Sequence, residues 1–483
     1  MKPFSASEDT GKPSNRLKIA VTFPSAKGLG PVACRRMKER FEVASGAPTK
    51  QRIKKAIAAL EGLGFKVSKE GAMTVSVRAT RRQFERAFHT KLTTHKASGA
   101  GSFHYPADDA PWQANSAIED LIDETYIQWP HIYMNQRFDR GAPSPLVPRV
   151  DYHHLSPGDV SVLLGADRVH REGVTGRGVR VAMIDSGFAH DHPYFVERGY
   201  RTQTVLAPGA NRVNDDGNGH GTGESANLLA VAPDVEFTGV KVDNETNPGN
   251  GASLLEGFQE ALTHNPQVIS VSLGFDLRSG ATGQPLTSLP NGLIALETEI
   301  ENAVQSGIVV VFSAGNGHIS FPGQMPDVLS AGGVFVDPFG AMEASNYASA
   351  FRSAIYAGRD VPDCSGLVGR SANGASYITL PIPANCEIEV DGSMVNGTQP
   401  NDGYGVFSGT SAAAPQLAGA CALLFERNPG LTPGDVRNAL VQSARGVVLG
   451  SASAASNPGG RALRGAAATG GGLVDVGAAL QLV

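Results

Sequence analysis

Four runs of apolar, largely β-branched residues limit what the larger part of this chain can fold into. Residues 179–184 (VRVAMI), 235–242 (VEFTGVKV), 267–274 (QVISVSLG) and 308–315 (IVVVFSAG) alternate with amphipathic stretches of helical period. A strand that is apolar on both faces must be covered on both faces, which antiparallel sheets with one wet side do not provide. Strands alternating with helices therefore predict an α/β class, with a doubly wound and mostly parallel sheet. With 483 residues, the chain is too long for one ordinary core. Its 41% hydrophobic and 18% charged residues exclude a disordered or fibrous chain. No run reaches the roughly 18 apolar residues that a membrane span needs, so no membrane contact is expected.

The first 133 residues read differently. Residues 17–23 (LKIAVTF) alternate like a half-buried strand. Thr49 can cap a helix that carries Ile53, Ile57 and Leu60 on one face, with Gly62 and Gly64 ending it. A strand follows in AMTVSVRA. Thr80 and Gln83 then form a capping box ahead of Phe84 and Phe88. This order predicts a small ferredoxin-like α/β domain over residues 1–133. Residues 134–150 contain Pro143, Pro145 and Pro148, which stiffen a linker of the kind where proteolytic nicking concentrates. Residues 151–483 form the large domain.

Charge is unevenly divided. Residues 1–140 hold 23 Lys and Arg against 14 Asp and Glu, a net of +9, and the remainder 18 against 32, a net of −14, for −5 overall. Two readings follow: two solvated surfaces of opposite sign, or a basic unit docked on an acidic one. The basic residues are dispersed and carry no recognition motif, so nucleic acid is not an expected partner. The N-terminus lacks the apolar core of a secretory signal, which predicts a cytoplasmic protein unless export needs no cleaved signal. Cys34, Cys364, Cys386 and Cys421 have no metal-ligand spacing. Cys421 reads as a small buried hydrophobe, and Cys364 and Cys386 could pair only in an oxidising compartment.

Three motifs carry chemistry. The first run ends on Asp185-Ser186-Gly187, which puts a carboxylate at the carboxyl edge of the sheet. His220-Gly221-Thr222-Gly223 opens an apolar helical stretch, and Gly409-Thr410-Ser411-Ala412 sets a serine among small residues. A serine hydroxyl becomes a nucleophile when an imidazole takes its proton, and the imidazole needs a carboxylate to fix its tautomer. An oxyanion needs preorganised donors, which Asn316 and the Ser411 backbone N–H can supply.

In order, MIDSG, HGTG, SLG, SAGNG and SGTSAAAP make the chain resemble the subtilisin family over roughly residues 155 to 483, and the order Asp, His, Ser is that of subtilisin. The resemblance implies a serine endopeptidase with Asp185 as orienting carboxylate, His220 as general base and acid, Ser411 as nucleophile and Asn316 as oxyanion donor. It implies a polypeptide substrate paired with the backbone of Ser272, Leu273 and Gly274, with Gly315 beside it. Gly249 and Gly251, in residues 249–252, would belong to a facing substrate strand. Ser320 and Phe321-Pro322-Gly323 resemble an S1 pocket that takes an apolar residue. No cofactor is required for the chemistry; family members often bind structural calcium, for which no ligands are assigned. TVSVRATRRQFERAFHTKL resembles the activation domain of sedolisin-type precursors, which implies a zymogen whose own prodomain inhibits it until cleavage within residues 134–149.

Glu224 departs from the subtilisin pattern, where an apolar residue is usual. Sedolisins replace the histidine by Glu, carry an acidic residue one turn later, and have Asp at the oxyanion position; this chain keeps His220 and Asn316. Four positions after His220, Glu224 shares its helix face and could raise its pKa, although a solvated or salt-bridged residue is the plainer expectation. His190, His192 and His318 are expected to be ordinary loop or surface residues. Two other functions remain open: a peptide ligase or macrocyclase using the same acyl-enzyme, and a silent binding protein of the same fold, against which the intact Asp, His, Ser and Asn set argues.

Overall fold

The computed structural model of the chain describes residues 16–26, 28–37, 41, 47–97, 101–106, 114–133, 154–280, 282–371, 376–392 and 401–483. The expected linker, residues 134–150, lies outside the described residues.

The N-terminal unit comprises β1 (Arg16–Thr22), helix α1 (Pro31–Arg36), helix α2 (Lys50–Gly62), β2 (Lys66–Glu70), β3 (Thr74–Thr80), helix α3 (Arg81–Ala87), a hairpin of β4 (Leu92–Ala97) and β5 (Gly101–Pro106), and β6 (Glu124–Ile127). Its sheet has the antiparallel order β2-β3-β1-β6, compatible with the expected ferredoxin-like arrangement. Thr49 caps α2 by accepting from the Arg52 amide at 3.2 Å, and Thr80 and Gln83 close their capping box on α3. Leu17, Ile19 and Val21 with Val75, Val77 and Ala79 pack on Ile53, Leu60, Phe84 and Phe88. The alternation is as the sequence suggests, but the face that reads as wet is not wet. Ala20 and Tyr126, on that second face, join the core of the other unit.

The large unit is built on β8 (Arg180–Asp185), β9 (Thr202–Leu206), β10 (Glu236–Lys241), β11 (Val268–Val271), β13 (Val309–Ser313) and β15 (Leu329–Val336), parallel in the order β15-β13-β11-β8-β10-β9. The antiparallel strand β16 (Met342–Ala344) also pairs with β15. The four apolar runs are β8, β10, β11 and β13, and both faces of each are covered. Val181, Met183, Val268, Val309 and Val311 face one core, which contains helix α4 (His220–Val231) and helix α7 (Thr410–Arg427). Ala182, Ile184, Ile269, Val271, Val310 and Phe312 face the other, which contains helix α5 (Leu254–Leu262) and helix α6 (Ile294–Gln305). Cys421 lies fully buried in the first core. Cys34, Cys364 and Cys386 are likewise buried, and Cys364 and Cys386 form no disulfide with each other.

The N-terminal sheet rests its second face on α5 and α6. Arg78 reaches Glu256 at 3.0 Å and the Pro208 carbonyl at 2.7 Å, and Lys69 reaches Glu260 at 2.5 Å. Glu299, fully buried, accepts from the Met73 amide at 3.0 Å, the Thr74 amide at 2.9 Å and the Thr74 hydroxyl at 2.8 Å. Ser76 donates to Gln259 at 2.8 Å. Basic docked on acidic is therefore the correct one of the two charge readings. Removing one member of a nearly buried pair strands the other, which costs about 3–5 kcal/mol. Arg78→Ala in the full chain is expected to lower the urea midpoint by a stability loss of this size; an unchanged midpoint would mean that the pair is energetically idle.

Candidate active site

Asp185 ends β8 at the carboxyl edge of the sheet and is fully buried. Its Oδ1 accepts from His220 Nδ1 at 2.6 Å and from the Ser186 amide at 2.7 Å. His220 opens α4 after Gly219, whose φ of +91° is open to glycine at little cost. Asp216, a residue that sequence reasoning missed, ties these turns together. It accepts from Ser186 Oγ at 2.8 Å, the Gly219 amide at 2.9 Å, the Thr222 amide at 2.9 Å and Thr222 Oγ1 at 2.7 Å. Four donors from the protein occupy this carboxylate, so it does not fit a calcium ligand. Among the described residues, no three His, Cys, Asp or Glu side chains gather as a metal site.

Ser411 is the second residue of α7, where helical amides have no intrahelical partner. Gly409 precedes the helix with φ +105° and ψ 162°, a conformation essentially restricted to glycine. Helix α7 packs against α4, and the Phe407 ring lies 6.4 Å from that of His220. Among the described residues, His220 Nε2 and Ser411 Oγ are both buried without a hydrogen-bond partner. The structure thus forms the aspartate–histidine half of the constellation and leaves the histidine–serine contact open, as resting sites often do. Asn316 accepts at Oδ1 from the Thr410 amide at 2.9 Å, which turns its NH2 the other way. Gly315, at φ +102°, donates to Thr410 Oγ1 at 2.9 Å.

Ser272 donates from Oγ to the Ser411 carbonyl at 2.9 Å. Leu273 and Gly274 begin β12 (Leu273–Asp276), which sits between β14 (Ser320–Phe321) and β7 (Ile132–Tyr133). The end of the N-terminal unit therefore lies on β12 as an antiparallel strand, pairing Tyr133 with Leu273 and Ile132 with Gly274. The Tyr133 ring sits 5.2 Å from the His220 ring, and its hydroxyl donates to Asp243 Oδ1 at 2.7 Å. Neither Tyr133 nor Asp243 was legible in advance, since only the fold brings residues 110 positions apart together. Ser320 and Phe321 flank β12 from the other side, and Ser320 is buried.

Two expectations fail. Gly249 lies in a 3₁₀ turn (Pro248–Asn250) that Gly251 follows; no strand forms there, and the Asn250 carbonyl accepts from Arg78 at 3.1 Å. Glu224 is neither solvated nor salt-bridged on the surface. It is fully buried, with Oε1 3.9 Å from His220 Nε2 and Oε2 accepting from Asn227 at 2.8 Å. His318 lies half-buried in the loop after β13, its Nδ1 accepting from the Asn316 backbone N–H at 3.1 Å. His190 lies in the loop after β8, as expected, and is buried beside Phe188, Phe195 and Phe237, where it meets Ser225 Oγ at 3.0 Å. His192 does sit in a loop, where its Nδ1 caps the helix Pro193–Arg198.

Burial alone would push the His220 imidazole down, but the hydrogen-bonded Asp185 carboxylate, with Glu224 and Asp216, lifts its pKa to about 9. Burial raises Glu224 to about 8 against the opposing pull of His220 and Asn227.

A parallel α/β sheet that presents a carboxylate–imidazole pair, with a serine at the head of the neighbouring helix, defines a Ser/His/Asp protein. The chain belongs to the subtilase family, whose model matches residues 176–466. It is 29% identical to subtilisin E of Bacillus subtilis over 295 residues, covering 58% of this chain and 64% of that protein. It is 30% identical to subtilisin DY of Bacillus licheniformis over 296 residues, covering 58% of this chain and 89% of the relative. The chain thus spans less than two thirds of the length of subtilisin E. Fervidolysin from Fervidobacterium pennivorans, described as a keratinolytic enzyme related to subtilisin, shares the fold with a TM-score of 0.57 at 17% identity, covering 99% of this chain and 62% of that one.

Proposed function

We propose that this chain is a serine endopeptidase held as a zymogen by its own N-terminal unit, residues 1–133. The observation that carries this reading is β7, an antiparallel strand of the chain itself, seated on β12 with its last residue against the imidazole of the Asp185–His220 pair. Pairing of this kind reads backbone, so any extended peptide can take the same place. In the reaction, Ser411 Oγ attacks the scissile carbonyl while His220 Nε2 takes its proton. Asp185, on Nδ1, fixes the tautomer and stabilises the imidazolium. The Asn316 amide and the Ser411 backbone N–H receive the oxyanion. His220 then returns the proton to the leaving amine, and water, activated by the same imidazole, releases the acyl group.

The sedolisin-like run TVSVRATRRQFERAFHTKL supports the zymogen reading, since it forms β3, α3 and the start of the hairpin in the unit that carries β7. The purified protein is expected to cleave itself within residues 134–150. Mass spectra of its action on a peptide library should show hydrolysed products even with an amine acceptor present. Transfer to the amine would instead make it a ligase. Absence of both turnover and fluorophosphonate labelling would overturn the proposal.

Glu224 gives a second test. The acid limb of kcat/KM follows loss of the proton from His220, and a carboxylate 3.9 Å away favours the protonated form. Glu224→Gln is therefore expected to move that limb to lower pH by about one unit. A pH profile that superposes on the wild type would remove Glu224 from the site's electrostatics.

A further inference from the structure

Asp243 follows β10 at the carboxyl edge of the sheet, and among the described residues the only donor to its carboxylate is the Tyr133 hydroxyl, at 2.7 Å. Its other charged surroundings are nearly all of its own sign. Burial, against the lowering pull of the Tyr133 hydroxyl and with the added repulsion of Asp216, Glu245 and Asp185, pushes its pKa up to about 7. Lys18, which feels the Asp243 carboxylate, belongs to the N-terminal unit. Lys241, the nearest cation of β10, is spent on the Asp215 and Arg212 carbonyls and on Glu245. When the N-terminal unit leaves, Asp243 loses Tyr133 and Lys18 together and is left among carboxylates.

The register says which substrate residue takes the vacated place. Tyr133 pairs with Leu273 in an antiparallel ladder, and Ser272, one step earlier on that edge, holds the carbonyl of Ser411. A peptide bound in the same register would set its next residue opposite Ser272 and offer the following bond to Ser411. The position of Tyr133 is therefore that of the second residue before the scissile bond, with its side chain between His220 and Asp243.

We propose that Asp243 determines specificity at this position, selecting side chains that bring it a proton donor or a positive charge. Lysine and arginine are favoured most, because they answer the acidic surroundings as well as the empty acceptor; tyrosine follows, as in the chain's own tail. Leucine leaves the carboxylate without a donor, and glutamate adds another like charge. This rests on the endopeptidase reading above, whose failure has a separate signature.

The test uses the self-processed enzyme and peptides that differ only at the second residue before the cleaved bond: Lys, Arg, Tyr, Leu or Glu. Fluorophosphonate labelling counts the active sites. Wild type is expected to cleave the Lys peptide with kcat/KM about tenfold above the Leu peptide, the worth of one charge-assisted hydrogen bond. Asp243→Asn keeps an acceptor without the charge, so the Tyr peptide should hold its rank while the Lys peptide falls to the level of Leu. In Asp243→Leu, both should fall and the Leu peptide should lead. A Lys-to-Leu ratio identical in wild type and Asp243→Asn would overturn the inference and leave the endopeptidase standing. No cleavage of any peptide together with no labelling would overturn the endopeptidase, and this inference with it.

Discussion

Ser411→Ala is expected to abolish both self-cleavage and turnover of added peptides, lowering kcat on the order of 10⁶-fold, the loss that removing one member of this cooperative unit costs in subtilisin itself. The size follows from how the site is built. Asp185 and His220 are already paired at 2.6 Å and fully buried, but the pair has no use without a hydroxyl to deprotonate. Replacing the serine by alanine removes one buried oxygen that has no hydrogen-bond partner among the described residues. Folding should therefore be undisturbed. The variant should migrate as one intact band on a gel, unfold at or above the wild-type temperature and take no fluorophosphonate. Equal labelling of wild type and variant would remove Ser411 from its role.

Asn316→Leu is the second large effect. In the proposed mechanism the Asn316 side-chain amide acts on charge that develops only in the transition state, so kcat should fall about 10²–10³-fold, as for the corresponding amide in subtilisin, with KM little changed. Asn316 also accepts from the Thr410 amide at the head of α7. A purely structural role would therefore lower the melting temperature and slow fluorophosphonate labelling only in proportion to the unfolded fraction. The two roles separate in the ratio of kcat to folded protein: a variant with full stability and wild-type kcat would exclude Asn316 from the oxyanion site.

Local patterns carried much of this into the sequence. The four apolar runs became β8, β10, β11 and β13 because a strand with two greasy faces has few places to go. The caps at Thr49 and Thr80 held because capping needs only residues three apart. Asp185, His220 and Ser411 were legible because each stands at an element boundary marked by glycine. What failed did so for lack of long-range information. Glu224 reads as a surface residue until helix α4 is seen to be covered along its length, including Asn227 beside it. The segment at Gly249 and Gly251 looks extended until Pro248 turns it and Arg78, from a distant strand, fastens its carbonyl. The pairing of β7 with β12 joins segments about 140 residues apart, and no motif in either one announces the other.

The seam between the two units carries hydroxyls, amides and ion pairs beside an apolar patch of Ala20, Val32 and Tyr126. Thr74, Ser76, Arg78 and Lys69 meet Glu299, Gln259, Glu256 and Glu260 across it. The polar groups would be rehydrated if the two units parted, whereas the apolar patch would be bared to water. Dissolved ions screen such nearly buried pairs little, so in the proposed zymogen release of the N-terminal unit would follow cutting rather than salt.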